Sequence, residues 1–180
     1  MIRAALTVVV LVAVANPTFA QSKVLAESIA RMHAGVARNV VDAAEKMPEA
    51  EFGFQPTKDV RTFGGFVGHV ANASYSYCSR AKGEANPNKE DFEKPMAKAA
   101  LVTALKGAVA YCDAVYKMQT DASLVEMVAM GQSQQPRGQI LVQSISHSNE
   151  HYGNVVTYMR LKGLVPPSTE RATAPRPGGN

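Results

Sequence analysis

Four long stretches of this chain repeat apolar residues every three or four positions, the spacing of one face of an α-helix. In the first, Leu25, Ile29, Met32, Val36, Val40, Ala43 and Met47 form a stripe. Ser22 can cap this helix, and Met47-Pro48 stops it. The second helix is expected from Phe63, behind Thr62 as cap, to about Ala81, with Phe63, Phe66, Val67, Val70, Ala73 and Tyr77 on its stripe. The third, over about 95–119, carries Leu101, Leu105, Ala108, Cys112, Val115 and Gln119. The fourth runs from about Gln139 to Lys162, where Gly163 and Pro166-Pro167 end it. There is no internal repeat and no convincing strand. Four amphipathic helices of similar length predict an all-α protein, a four-helix bundle that buries the four stripes against one another.

The connections are less regular. Residues 48–61 hold Phe52, Phe54 and Pro56, which suggests a loop packed onto the core. Gly64-Gly65 in the first turn of the second helix lowers helix propensity by about 1 kcal/mol per glycine. The pair signals either a close backbone approach or a weak first turn. Gly83 to Asn88 reads as loop. Ser123 to Ala129 could form a short helix, and Gly131 to Gly138 reads as loop. From Ser168 to Asn180 the chain is rich in Pro, Gly, Thr and Ala without apolar period, so disorder is expected there.

The first twenty residues stand outside the bundle. Met1-Ile2-Arg3 gives a positive start, Ala4 to Ala15 is apolar or small except for Thr7, and Thr18-Phe19-Ala20 ends on small residues suited to cleavage. This is the pattern of a secretory signal peptide, and the run is too short for a membrane span. No cysteine follows it, so a lipoprotein anchor is not expected. The organisation expected is therefore leader 1–20, bundle 21–167 and tail 168–180, in a secreted or periplasmic protein. Nineteen basic residues less Arg3 of the leader, against 15 acidic ones, leave 18 − 15 = +3. That charge is mild and scattered, with no basic cluster or interleaved aromatics, so no nucleic-acid partner is expected. No second apolar stretch is expected to be long enough for a transmembrane helix. The cysteines, Cys78 and Cys112, are two in number, and export favours a disulfide over two free buried thiols.

Two of the chain's four histidines, His147 and His151, lie four apart in the fourth helical pattern. That spacing stacks them one turn apart on one face, where two imidazoles can share a metal ion. The alternative is a pair of ordinary, partly buried histidines. Of the other two, His33 flanks the first stripe and reads as a surface residue. His69 lies on a flank of the second stripe and could bring a third ligand, the number usual for catalytic zinc-type sites.

Two segments carry a family resemblance. Met47-Pro-Glu-Ala-Glu-Phe-Gly-Phe-Gln-Pro through Phe63-Gly-Gly-Phe-Val-Gly-His69-Val-Ala-Asn resembles the approach to the second helix of the DinB-like (YfiT-type) metalloenzymes. Ile145-Ser-His147-Ser-Asn-Glu-His151-Tyr-Gly-Asn, with the exit Tyr158-Met-Arg-Leu-Lys-Gly-Leu-Val-Pro-Pro167, is similar to that family's last helix. The resemblance covers about residues 22–168. It implies a four-helix bundle with up-down-down-up connectivity and a metal held by His69, His147 and His151. The family often has Glu or Gln where this chain has Gly65, which weakens a capping box and leaves the site untouched.

Three neutral imidazoles suit Zn, Ni or Fe(II) and leave positions for water or substrate. Relatives in the superfamily are thiol-dependent transferases and isomerases, which implies S-transfer by a metal-activated thiol, although the usual thiol cofactors are intracellular. His147-Ser-Asn-Glu150-His151 also satisfies the HxxEH pattern, in which the glutamate is a general base. Glu150 lies about 60° from His147 on the helix, within reach of a water at the metal. It would then serve a hydrolase; otherwise it is a solvated or supporting carboxylate. Asn72, Asn149 and Tyr152 are candidate pocket residues. A metal-binding bundle without turnover is the reading from another class. The substrate expected is an unidentified small molecule, and bundles of this kind often form homodimers.

Overall fold

A computed structural model describes residues 22–175. The leader and the last five residues lie outside the described residues. Four long helices dominate: α1 (Val24–Lys46), α2 (Phe63–Lys82), α3 (Lys98–Lys117) and, after the short α4 (Asp121–Leu124), α5 (Arg137–Leu161). A hairpin of β1 (Met127–Met130) and β2 (Ser133–Pro136) precedes α5, and α6 (Pro167–Thr173) follows it.

The helices form a ring in which α1 and α2 are diagonal, each packing on both α3 and α5. Pair contacts fix their directions. Cys78 and Cys112, both late in their helices, face each other, and Leu101 lies close to Gly64, so α2 and α3 run parallel. Phe66 meets Tyr158 and Tyr77 meets His147, so α5 runs antiparallel to α2. His33 meets Tyr116 and Lys106 pairs with Glu45, so α1 runs antiparallel to α3.

Parallel neighbours need a return connection. Residues 83–97 travel back along α2, which at about 1.5 Å per residue is about 30 Å long. Gly83 starts this strap in the left-handed region, at φ 81°. The strap is pinned to α2 by Asn72, whose amide donates to Asp91 Oδ1 (3.1 Å) and accepts from the Phe92 backbone N–H (3.3 Å). Phe92 is buried in the core with Phe63, Phe66, Val70 and Leu105. Burying an aromatic or aliphatic side chain of this size stabilises by about 1.5–3 kcal/mol.

The α3 stripe is buried as expected, from Leu101 to Gln119. This helix is long and apolar enough by composition to cross a membrane, the one such helix among the described residues. In the fold its apolar face lies against α1 and α2. The α1 face is as expected at Ile29, Val40, Ala43 and Met47, which are buried, and differs at its N-terminal half. Leu25 and Met32 are each 56% exposed, whereas Ala26, His33, Ala37 and Ala44 are buried. Alanines let α1 approach its neighbours closely. His33 stacks on Tyr116 at 4.1 Å between ring centroids, with Nε2 3.1 Å from Asp113 Oδ1. Burial holds the His33 pKa below its usual value, against the opposing pull of Asp113. The surface reading of His33 is thus corrected. Ser22 does not cap α1 either. Asp121 from α4 does so, accepting from Ala26 N–H (2.9 Å) and from the Ser22 hydroxyl (2.6 Å).

Three further expectations change. Residues 127–136 form a hairpin, not a short helix and loop, because Gly131 (φ 63°) supplies the positive φ that a two-residue turn requires. Pro56 is exposed, although Phe52 is buried. The expected disorder from Ser168 gives way, through Thr173, to α6. There Arg171 donates to Asp42 (2.6 Å) and to Asn39 on α1, Lys46 pairs with Glu170, and Ser168 N–H donates to the Tyr152 hydroxyl (3.0 Å). Those partners lie more than 120 residues away on α1 or across α5, where local composition cannot register them.

Candidate metal centre

Thr62 begins α2 as its sequence suggests, its hydroxyl accepting from Gly65 N–H at 3.0 Å. The glycine pair serves a close approach: Gly64 N–H donates to the Phe52 carbonyl at 2.8 Å. Phe63, Phe66, Val67 and Val70 then bury one face, which places His69 at the border of that face, towards α5. On α5, Ile145, Tyr152, Val155 and Met159 point inward, and His147 and His151 stack at the adjoining edge. The antiparallel α2–α5 pair brings the three imidazoles together.

Their nitrogens converge. His147 Nε2 lies 3.1 Å from His69 Nε2 and 3.2 Å from His151 Nε2. One ligand atom from each residue falls within 4.8 Å of the others. Nitrogens bound about 2.1 Å from one ion sit about 3.0 Å apart at a right angle and about 3.4 Å apart at a tetrahedral angle. The two contacts fall in that interval. Three neutral imidazoles are also the donor set that a borderline divalent ion prefers. His151 is buried and the other two are half-buried, so one side of the cluster reaches solvent. Phe66 closes the inner side, its ring centroid 5.4 Å from that of His151.

The electrostatics favour the neutral form of His147 and His151. Burial, then His147 and His69, push the His151 pKa down to about 4, against the attraction of Glu150. Burial, then His69, also lower that of His147, again against Glu150. Neutral imidazoles are the form that binds metal.

The strap adds a group that the helical patterns do not reveal. Glu93 Oε1 lies 2.7 Å from His69 Nδ1, and Arg61 Nε donates to Glu93 Oε2 at 3.0 Å. Burial pushes the Glu93 carboxyl up, but the hydrogen bonds from His69 and Arg61 outweigh it and hold the pKa below the usual range. In the sequence Glu93 is one acidic residue among Lys, Asp and Pro, without a distinguishing signal.

Glu150 is exposed on α5 and its carboxylate makes no hydrogen bond or ion pair among the described residues; it acts on the histidines through its charge. Asn72 anchors the strap and Tyr152 holds α6, so their polar groups are engaged away from the cluster. Asn149 is exposed and borders a concavity shared by α1, α5 and α6.

The fold and site define a class: an all-α bundle with a three-histidine cluster between two of its helices. The family profile described as the DinB superfamily matches residues 33–155, and the chain belongs to that superfamily. No curated protein matches the chain. Among solved structures, a DinB-like protein from Bacillus cereus ATCC 10987 is similar at 16% identity and TM-score 0.69, over 78% of this chain and 95% of that one. A DinB-like protein from Bacillus subtilis is similar at 18% identity and TM-score 0.64, over 77% and 94%. The mycothiol-dependent maleylpyruvate isomerase is similar at 17% identity and TM-score 0.59, over 72% of this chain. This chain spans 60% of that isomerase's length. At these identities the likeness is one of fold.

Proposed function

We propose that this is an exported DinB-superfamily metalloprotein that holds one divalent transition ion, Zn, Ni or Fe(II), through His69, His147 and His151. We propose further that it acts as a metal-dependent transferase or hydrolase on a small molecule. The observation that carries the reading is the convergence of the His69 and His147 Nε2 atoms to 3.1 Å from helices 78 residues apart in sequence, with His151 completing the set.

Such an ion supplies Lewis acidity toward an oxygen or sulfur group of a substrate at its open positions. The protein's own residues shape what happens there. The imidazoles of His69, His147 and His151 would hold the ion at the edge of the bundle, with the Phe66 ring packed beside His151 on the inner side. Glu150, one turn from His147 on α5, can take up a proton at its carboxylate during hydrolysis. The mycothiol-dependent isomerase of similar fold makes a thiol substrate or co-substrate the transferase form of the same reading. Export rests on the leader sequence, and the Cys78 and Cys112 sulfurs at disulfide distance agree with an oxidising compartment.

A bundle that binds metal without turnover is the second reading. The concavity of about 580 Å³ between α1, α5 and α6 is lined by Met32, Val36 and Ile145, not by the histidines, which favours this alternative.

Metal analysis of protein exported to a bacterial periplasm tests the proposal. About one transition metal per chain is expected, and His69→Ala should reduce it to background. Absence of metal from well-metallated protein overturns the site. A screen of ester and thiol substrates with and without chelator separates the two readings. Where hydrolysis is found, Glu150→Gln should depress it at unchanged metal content; unchanged hydrolysis removes Glu150 as base.

A further inference from the structure

The parallel pairing of α2 and α3 obliges the strap to run back past His69, and the strap arrives with a carboxylate aimed at that ring. Glu93 Oε1 sits 2.7 Å from His69 Nδ1, and its other oxygen is held by Arg61 at 3.0 Å. We propose that Glu93, held by Arg61 and by the strap's seat on α2, is a positioning residue that fixes His69 with its proton on Nδ1 and its Nε2 lone pair facing His147 and His151. This deepens the metal-centre reading and rests on it for its effect on affinity.

The chemistry of the donors carries the argument. An ionised carboxylate can only accept a hydrogen bond, so the contact requires a proton on Nδ1. In a neutral ring that leaves Nε2 as the bare nitrogen, and Nε2 is the atom that meets His147. A carboxylate behind a ligating histidine fixes the tautomer and raises the basicity of the ligand, and its loss typically weakens metal affinity by about 10–100-fold.

The hold on Glu93 is itself built. Arg61 precedes α2, and its carbonyl accepts from the Tyr158 hydroxyl of α5 at 2.9 Å. On the strap, Asp91 Oδ1 accepts from Glu93 N–H at 3.1 Å and also from the Asn72 amide. Phe92, between them, is buried. Glu93 therefore approaches from a backbone fixed on both sides.

Two measurements test this. The first uses the wild-type chain freed of metal, at a pH where the histidines are neutral. Long-range ¹H–¹⁵N spectra, with His69 assigned by loss of its signals in His69→Gln, should show the Nδ1–H tautomer. An Nε2–H tautomer overturns the inference whatever the metal content. The second compares Co(II) and Zn(II) dissociation constants of wild type, Glu93→Gln and Glu93→Asp by competition with a chromophoric chelator. Glu93→Gln should weaken binding about 10–100-fold, with Glu93→Asp partly rescuing it. Equal affinities in a folded Glu93→Gln variant overturn the positioning role. An Nδ1–H tautomer in a wild type that binds neither ion sinks the metal centre and leaves the Glu93–His69 geometry standing.

Discussion

The carbonyl of Phe92 rests directly against the α-carbon of Gly68, leaving no room for a β-carbon between them. The strap thereby lies flush on α2 one residue before His69, and Glu93, the next strap residue, comes within reach of the imidazole. Gly68→Ala must push the strap outward. It should destabilise the fold by about 1–3 kcal/mol, as overpacking does. Thermal unfolding reads the first effect, and Zn(II) titration should show weaker binding because Glu93 moves with the strap. A variant with wild-type stability and affinity would show that the strap is not seated by this contact.

The lowered histidine pKa values set a pH dependence for the metal-free chain. His151 sits near 4 in the fold against 6.5 for a free histidine, and His147 and His33 are shifted in the same direction. The unfolded chain therefore binds more protons between these values, so stability falls as pH drops from about 6.5 toward 4. Melting temperatures across that range, in chelator, should decline, and His151→Ala should flatten the slope. Metal should be released over the same range, since protons compete for the same nitrogens.

The sulfurs of Cys78 and Cys112 lie at disulfide distance in the late turns of the parallel helices α2 and α3, with Cα atoms 5.4 Å apart and 34 residues of separation. A bridge between them should contribute about 3–4 kcal/mol in the chain-entropy model. Denaturant unfolding with and without reductant should show that difference. Thiol titration of the unfolded, unreduced chain should find no free thiol.

Arg171 ties α6 to α1 through Asp42 and Asn39, in a partly exposed setting. Arg171→Ala should cost less than about 1 kcal/mol in global stability. It should nevertheless speed amide exchange selectively over residues 167–173, because that helix is otherwise held by buried Pro167 and by the Tyr152–Ser168, Arg160–Thr169 and Lys46–Glu170 contacts alone among those described. Unchanged exchange there would place the anchor elsewhere.

The sequence by itself determined the four long helices and the stripe of α3, since periodicity and caps such as Thr62 and Gly163 are local signals. The family resemblance named His69, His147 and His151 together, and the fold brings those three into one cluster. The rest was decided by tertiary structure. On α1, Ile29, Val40, Ala43 and Met47 of the stripe are buried as read, but Leu25 and Met32 give place to Ala26 and His33, whose ring stacks on Tyr116 of α3. Asp121, distant in sequence, took over the α1 cap from Ser22. Residues 167–173 became helical through partners on α1 and α5. Glu93 acquired its place beside His69 only because α2 and α3 run parallel and force the chain between them back along α2. Local spacing sets which residues share a helical face. Which faces meet, and what a returning loop passes on its way, depends on contacts between residues far apart in the chain.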